Sequence, residues 1–282
     1  MTDPLTSFGL SSNVLVWQAL FLTLLSLAVG IIGGAVGLAL GTVRLPFLLL
    51  LGMPAPTAAG TNILVSTLGS LTGSYKHFRE GRVDFYVVAV QGAPAVVGAF
   101  IGGFSAAWVR EELLVFTAGI LVLWQGLELW LQAAKEPPKA VNPHISRPSH
   151  SAQGLSRWTT GQIFAEAMVG FAIGLLGGAI GLVLNTLRLP ALIKILDLDP
   201  RIAAGSGLVI GFLMGGFGWI GHVVGGQVDY PVLTLMAATG TVGTYYGAGW
   251  TGRLSPRNLL YLMGAVLIAV GSLLIRDAYG RF

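Results

Sequence analysis

Gly30-Ile-Ile-Gly-Gly-Ala-Val-Gly-Leu-Ala-Leu-Gly-Thr-Val-Arg-Leu-Pro46 and Gly174-Leu-Leu-Gly-Gly-Ala-Ile-Gly-Leu-Val-Leu-Asn-Thr-Leu-Arg-Leu-Pro190 are one segment written twice. Eleven of the seventeen positions are identical at an offset of 144. After one inserted residue the correspondence continues. Ala58-Ala-Gly-Thr-Asn62 pairs with Ala203-Ala-Gly-Ser-Gly207, and His77, Gly81, Val83 and Asp84 pair with His222, Gly226, Val228 and Asp229. Agreement over this span is an internal repeat, and it divides the chain into a first unit at 13–134, a polar linker at 135–158 and a second unit at 159–276.

The repeated unit belongs in a bilayer. Of 282 residues, 54% are hydrophobic and 10% charged, with a mean hydropathy of +0.77; a soluble domain carries roughly a quarter charged residues. No Asp, Glu, Lys or Arg occurs within 4–43, 45–75, 85–109, 167–187, 202–228, 230–252 or 258–275. Each run is about as long as the ~20 residues that cross the hydrocarbon layer as helix. Strand-like alternation is absent, so the expected fold is an all-α integral membrane bundle. Eight long helices are expected near 13–42, 58–78, 84–107, 112–134, 159–184, 202–225, 230–250 and 256–276. Two short segments, 45–52 and 189–196, follow Pro46 and Pro190. The first apolar run lacks a basic leader region and is expected to be retained as a membrane segment.

The basic residues lie in short loops, which reads as topology and not as nucleic-acid binding, despite a pI near 9.6. With five passes per unit, eleven of the 16 Lys and Arg fall on one side and five on the other; with four passes the split is nine to seven. The sharper split favours an inverted repeat. The chain has no Cys, which removes disulfides, thiolate clusters and Cys nucleophiles. No His-x-x-Glu-His and no Gly-Lys-Ser/Thr ending occurs, so neither a metal site nor a nucleotide-binding loop is expected, and no cofactor is implied.

Inverted repeats with interrupted helices are a transporter design in which the substrate sits between the halves. Pro46 and Pro190 lack an N–H and disfavour helix at the preceding residue, so the backbone over 41–45 and 185–189 is expected to leave regular helix. Free N–H groups there would attract an anion. Arg44 and Arg188 occupy this break symmetrically, and a guanidinium fork suits an oxyanion; the alternative is that both mark interfacial loops. Thr42, Thr186 and Asn185 lie beside them. Thr61, Asn62 and Ser206, at the start of the next long helix, are further candidates, with N-capping or close packing as the alternative. His77, His222 and Glu128 are candidate proton-relay groups, with interfacial placement the favoured alternative for the two His; Glu166 is a second acid within a helix that could couple protons, and for both acids a helix end with water access is the alternative. Asp84 and Asp229 read first as N-caps.

The combination of a Gly-rich helix ending in a Pro-containing short segment (33–46 and 177–190), the Ala-x-Gly stretch (58–62 and 203–207) and the His-to-Asp stretch (77–84 and 222–229) resembles the TauE/SafE sulfite exporter family of anion permeases. Leu254-Ser-Pro-Arg257 before the last apolar run is similar as well. The chain departs from the family pattern at Ala39-Leu40 and Val183-Leu184-Asn185, which thin the Gly run, and at Arg44 and Arg188. The resemblance implies secondary transport of sulfite or a small organosulfonate, such as sulfoacetate or taurine, across the bacterial inner membrane, coupled to a proton or sodium ion. An anion channel is the alternative. An intramembrane enzyme built on Ser206 and His222 is disfavoured, because Ser206 pairs with Thr61 across the repeat.

Overall fold

Backbone at membrane depth has no water to bond, so an uncharged segment that crosses the bilayer must close its own hydrogen bonds. In the computed structural model this chain does so as helix. The structure describes residues 12, 14–36, 41–134, 158–248 and 256–281. The linker and residues 37–40 lie outside them. Among the described residues there are ten helices and no strand. The first five are α1 Val16–Val36, α2 Gly41–Leu50, α3 Ala55–Arg79, α4 Phe85–Trp108 and α5 Glu111–Ala134. The second five are α6 Thr160–Ile180, α7 Asn185–Ile195, α8 Pro200–Val224, α9 Tyr230–Ala248 and α10 Pro256–Arg281. Six of them, α1, α4, α5, α6, α8 and α10, are long and apolar enough to cross a membrane. The protein is thus a multi-pass membrane protein with eight long helices and two short ones.

Local chemistry sets the helix starts. Asp84 caps α4, accepting from the N–H groups of Tyr86 and Val87. Asp229 accepts from Val232 N–H in the matching place before α9. Thr159 and Gln162 form a capping box at α6. Asp199, with Pro200 behind it, caps α8. α3 carries a ladder of hydroxyls: Ser66 donates to Asn62 O, Ser70 to Ser66 O and Ser74 to Ser70 O. Bonding to the carbonyl one turn back satisfies each hydroxyl inside its own helix, so a Ser-rich helix can stay buried.

One expectation is corrected. The short helices do not follow the prolines; they contain them. Pro46 lies inside α2 and Pro190 inside α7, each at the sixth helical residue. The loss is one i→i−4 bond per helix, and Thr-x-Arg-Leu-Pro stays helical throughout. In the second unit the interruption comes earlier, over 181–184. There Gly181 ends α6 in the left-handed conformation (φ 77°), which costs little without a Cβ.

The packing relates the two units by a two-fold. α1 runs parallel to α9, Gly243 lying against Leu27 and Gly247 against Ile31 in step, and Thr239 Oγ1 donates to Thr23 O and Ser26 Oγ to Met236 O. In the equivalent pair α6 runs parallel to α4, where Gly170, Gly174 and Gly178 lie against Gln91, Ala95 and Ala99 in step. The equivalent helices α3 and α8 cross antiparallel. Gly60, near the start of α3, touches His222 and Gln227 at the end of α8; Gly205, near the start of α8, touches His77 and Arg82 at the end of α3. α5 and α10 are antiparallel too, Gly119 meeting Leu274 and Ile275 while Gly126 meets Gly264 and Ile268. Equivalent helices that run in opposite directions make the repeat inverted. Two long-range bonds exchange across the axis: Asp229 N–H donates to Thr61 Oγ1 (3.1 Å), and Asp84 N–H donates to Ser206 Oγ (2.9 Å).

Candidate functional site

The starts of the two short helices come together through one side chain. Asn62 Nδ2 on α3 donates both to Gly41 O, the first residue of α2 (3.1 Å), and to Gly181 O, at the break before α7 (3.0 Å). Asn62 is fully buried, and its Oδ1 has no partner among the described residues. Gly41 is required in this arrangement, because a Cβ there would run into the Ser66 hydroxyl. α7 begins without a side-chain cap on its N–H groups. Through Asn62 the break before α7 is tied to the start of α2 in the interior of the bundle, and Asn185 N–H turns back to Val183 O.

Both arginines of the repeated motif are interior residues, not interfacial ones: Arg44 is 5% exposed and Arg188 0%. Their surroundings differ. Arg188 Nη1 donates to Asn185 Oδ1 (3.0 Å) and Gly207 O (3.2 Å), and Nη2 to Met214 Sδ (3.1 Å). The carboxylate of Glu166 on α6 lies within electrostatic reach of it. Arg44 lies beside Gly240 of α9, where a Cβ would crowd Nη2. Arg44 has neither a hydrogen bond nor an ion pair among the described residues, and the buried Thr42 Oγ1, two residues before it on α2, has no partner either. A buried guanidinium without acceptors is an electrostatic deficit that a bound anion would relieve.

The other candidates separate into those at the junction and those elsewhere. Asn185 and Thr186 are half-buried at the start of α7. Thr61 and Ser206 are fully buried, and their oxygens accept the exchanged bonds described above, so they tie the two units together. His222 is fully buried and bonded through Nε2 to Gly178 O (2.8 Å), with Nδ1 2.9 Å from Gln227 Oε1. That clamps the end of α8 to the end of α6. Ser206 and His222 are each bonded to other groups and not to one another. His77 is half-buried at the far end of α3, packed on Gly205. Glu128 is half-buried on α5, where it accepts from Gln132 (3.3 Å); its neighbour Leu129 packs in one cluster with Val43 of α2. Asp84 and Asp229 are helix caps. No group of three His, Asp or Glu among the described residues could hold a metal ion.

Glu166 and Gln91 form a pair that the repeat pattern does not announce. Both are fully buried, and Gln91 Nε2 donates to Glu166 Oε2 at 2.6 Å. Gln91 sits in a π-helical turn, Val88–Gly92, just before Pro94, where the ladder of α4 is already loosened. The cue available in the sequence was an acid at 166 inside an otherwise uncharged helix.

The comparisons with known proteins agree with this architecture. Residues 22–274 match the family model described as "Sulfite exporter TauE/SafE". The probable membrane transporter protein YdhB of Bacillus subtilis is 29% identical over 258 residues, covering 91% of this chain and 98% of that protein. The probable membrane transporter protein YunE of the same organism is 24% identical over 264 residues, covering 91% and 97%. No solved structure matches the chain. A family match across nearly all ten helices, on a bundle with a buried cationic junction, places this multi-pass membrane protein in the TauE/SafE family.

Proposed function

We propose that the chain is a secondary transporter, for export or uptake, of sulfite or a small organosulfonate such as sulfoacetate or taurine across the bacterial inner membrane. The two units, 13–134 and 159–276, move against one another about the junction of α2 and α7, with 135–158 as the linker between them. The anion binds between the units near the midplane. Arg44 supplies the principal charge, Arg188 adds a second, and Thr42, Asn62, Asn185 and Thr186 line the site. Rocking of one unit against the other alternates access, driven by a proton or sodium gradient. Thr61 and Ser206 act here as ties between the units and contribute to the site through the helices they hold.

The observation that carries this reading is the buried guanidinium of Arg44, which makes no hydrogen bond or ion pair among the described residues. An uncompensated charge at this depth is expensive unless a counter-ion visits it. The test is a thermal-shift panel on purified protein with sulfite, thiosulfate, sulfoacetate, taurine and sulfate. At least one is expected to stabilise the wild type, and Arg44→Ala is expected to remove that shift while the protein stays folded and membrane-inserted. Retained wild-type affinity for every anion in Arg44→Ala/Arg188→Ala would sink the assignment. Flux that never saturates and cannot be driven uphill would make the protein a channel instead.

A further inference from the structure

Arg44 and Arg188 are equivalent by sequence, yet the hydrogen-bond partners of Arg188 have no counterparts free to serve Arg44. Asn185 and Met214 correspond to Gly41 and Gly69. The acceptor Gly207 O corresponds to Asn62 O, which the Ser66 hydroxyl already takes; the residue matching Ser66 is Gly211. The α1–α9 seam beside Arg44 departs from its repeat, the α6–α4 seam, in two further places. The seams superpose turn for turn, since Gly30 meets Gly240 O as Gly174 meets Ala95 O. Gly240 thus stands where the second unit has Ala95, and Ser26 stands where it has Gly170. One position lacks a methyl and the other gains a hydroxyl. Both changes meet at one point. A Cβ on Gly240 would lie 2.9 Å from Ser26 Oγ and 3.2 Å from Arg44 Nη2, with Val65 Cγ1 of α3 at 3.6 Å. A fully buried hydroxyl and a buried guanidinium without acceptors therefore flank the bare face of Gly240.

We infer that the anion binds on the α1–α9 side of Arg44, over the face of Gly240, with Arg44 Nη2 donating to one of its oxygens and Ser26 Oγ to the same or a neighbouring oxygen. This rests on the transport reading above and adds Ser26 and Gly240 to its site. Ser26 can turn to a ligand at little cost. Its hydroxyl donates to Met236 O (2.7 Å), a carbonyl that the N–H of Gly240, one turn further along α9, also reaches as part of the helix ladder. Swinging away leaves that carbonyl bonded and exchanges a neutral acceptor for a charged one, which makes the stronger hydrogen bond. Gly240 contributes by what it lacks. Without a Cβ, the backbone of α9 lets an oxygen approach Nη2 and Oγ together; a methyl would occupy that approach and press on both groups. Arg188 has no such neighbour pair, because its seam carries Gly170 and Ala95 in these places. The first unit with α9 therefore holds the head group, and Ser26 is a binding residue that the repeated motif does not contain.

The measurement is the affinity for sulfite, thiosulfate, sulfoacetate, taurine and sulfate, read from ligand-dependent thermal shifts and followed for each anion that stabilises the wild type. Ser26→Ala is expected to weaken binding about tenfold, as one hydrogen bond to a charged group is worth, and to leave the ligand-free melting temperature unchanged. Gly240→Ala is expected to weaken binding at least as much. Ser26→Gly/Gly240→Ala copies into the first unit the pair that the second already packs, and should also lose affinity; it covers the case in which Gly240→Ala alone fails to fold against Ser26. Thr239→Ala removes a different hydroxyl of the same seam, one that bonds to Thr23 O and Leu235 O, and should bind like the wild type. Wild-type affinity in folded Ser26→Ala or in the folded double variant overturns the inference and leaves the transport reading intact. So does a loss in Thr239→Ala equal to that in Ser26→Ala, which would assign the effect to packing of the seam. No shift with any of the five anions in the wild type, or the full shift retained in Arg44→Ala/Arg188→Ala, overturns both.

Discussion

α3 and α8 occupy the same place in their respective units and cross each other at the centre, yet they are lined differently. α3 presents Asn62, Ser66 and Ser70 where α8 presents Gly207, Gly211 and Gly215. Features shared by both helices belong to the scaffold. Gly60 and Gly205 permit the crossing, and Thr61 and Ser206 accept the exchanged bonds from Asp229 and Asp84. Features that differ determine what the arginines meet. On α3 the hydroxyls consume their own helix carbonyls. On α8 the glycines leave a carbonyl for Arg188 to take and a groove into which Thr67 of α3 fits against Gly215. A symmetric frame therefore holds an asymmetric site.

The largest break in this comparison should come from the arginines. Arg188→Leu leaves two interior acceptors, Asn185 Oδ1 and Gly207 O, without their donor and should cost about 2–6 kcal/mol, about 1–3 for each. Arg44→Leu removes a charge with no partner and should leave the ligand-free protein as stable as before or more so. Equal losses on denaturant unfolding in detergent would mean that the two environments are alike after all.

A smaller effect is expected at the crossing, and there the two halves should agree. Gly60→Ala places a Cβ against Gln227 O and His222, and Gly205→Ala places one against Arg82 O and His77. Each should cost about 1–3 kcal/mol by overpacking. A large difference between the two melting shifts would break the two-fold equivalence.

Next come the ties between units. Thr61→Val and Ser206→Ala each leave one buried backbone N–H, of Asp229 or Asp84, without its acceptor, and each should lose about 1 kcal/mol. A double mutant whose loss far exceeds the sum would sharpen the picture by showing that the two ties act as one clamp. The smallest effect belongs to the ladder on α3: Ser70→Ala should change stability by no more than about 0.5 kcal/mol, since a back-bonded hydroxyl adds little to a helix. A larger loss would show that this hydroxyl has a partner beyond its own helix.

Much of the fold was legible in advance because its causes are local or periodic. Charge-free runs of membrane length became helices, the 144-residue offset became a two-fold, and Asp84 and Asp229 became caps where an acid precedes an apolar run. The eleven-to-five charge split pointed to an odd number of passes per unit, and the antiparallel crossings of α3 with α8 and α5 with α10 agree. The break was misplaced because the steric rule for a residue before proline is a preference. In α2 and α7 the surrounding turns hold the helix through Pro46 and Pro190, and the chain interrupts at Gly181 instead.

The site was only half visible. Sequence alone determined that this is a duplicated, membrane-spanning helical protein of the TauE/SafE kind, and that Arg44 and Arg188 stand at matching places in its repeat. Tertiary structure decided which of the two has partners for its terminal nitrogens. Its partners Met214 and the carbonyl of Gly207 come from another helix, at separations set by how the bundle packs. Whether a buried charge is paired depends on distance and on competition for each acceptor, as when Ser66 takes the carbonyl that its counterpart, Gly211, leaves open. No spacing along the chain encodes that competition; it exists only once α2, α3, α7 and α8 are packed together.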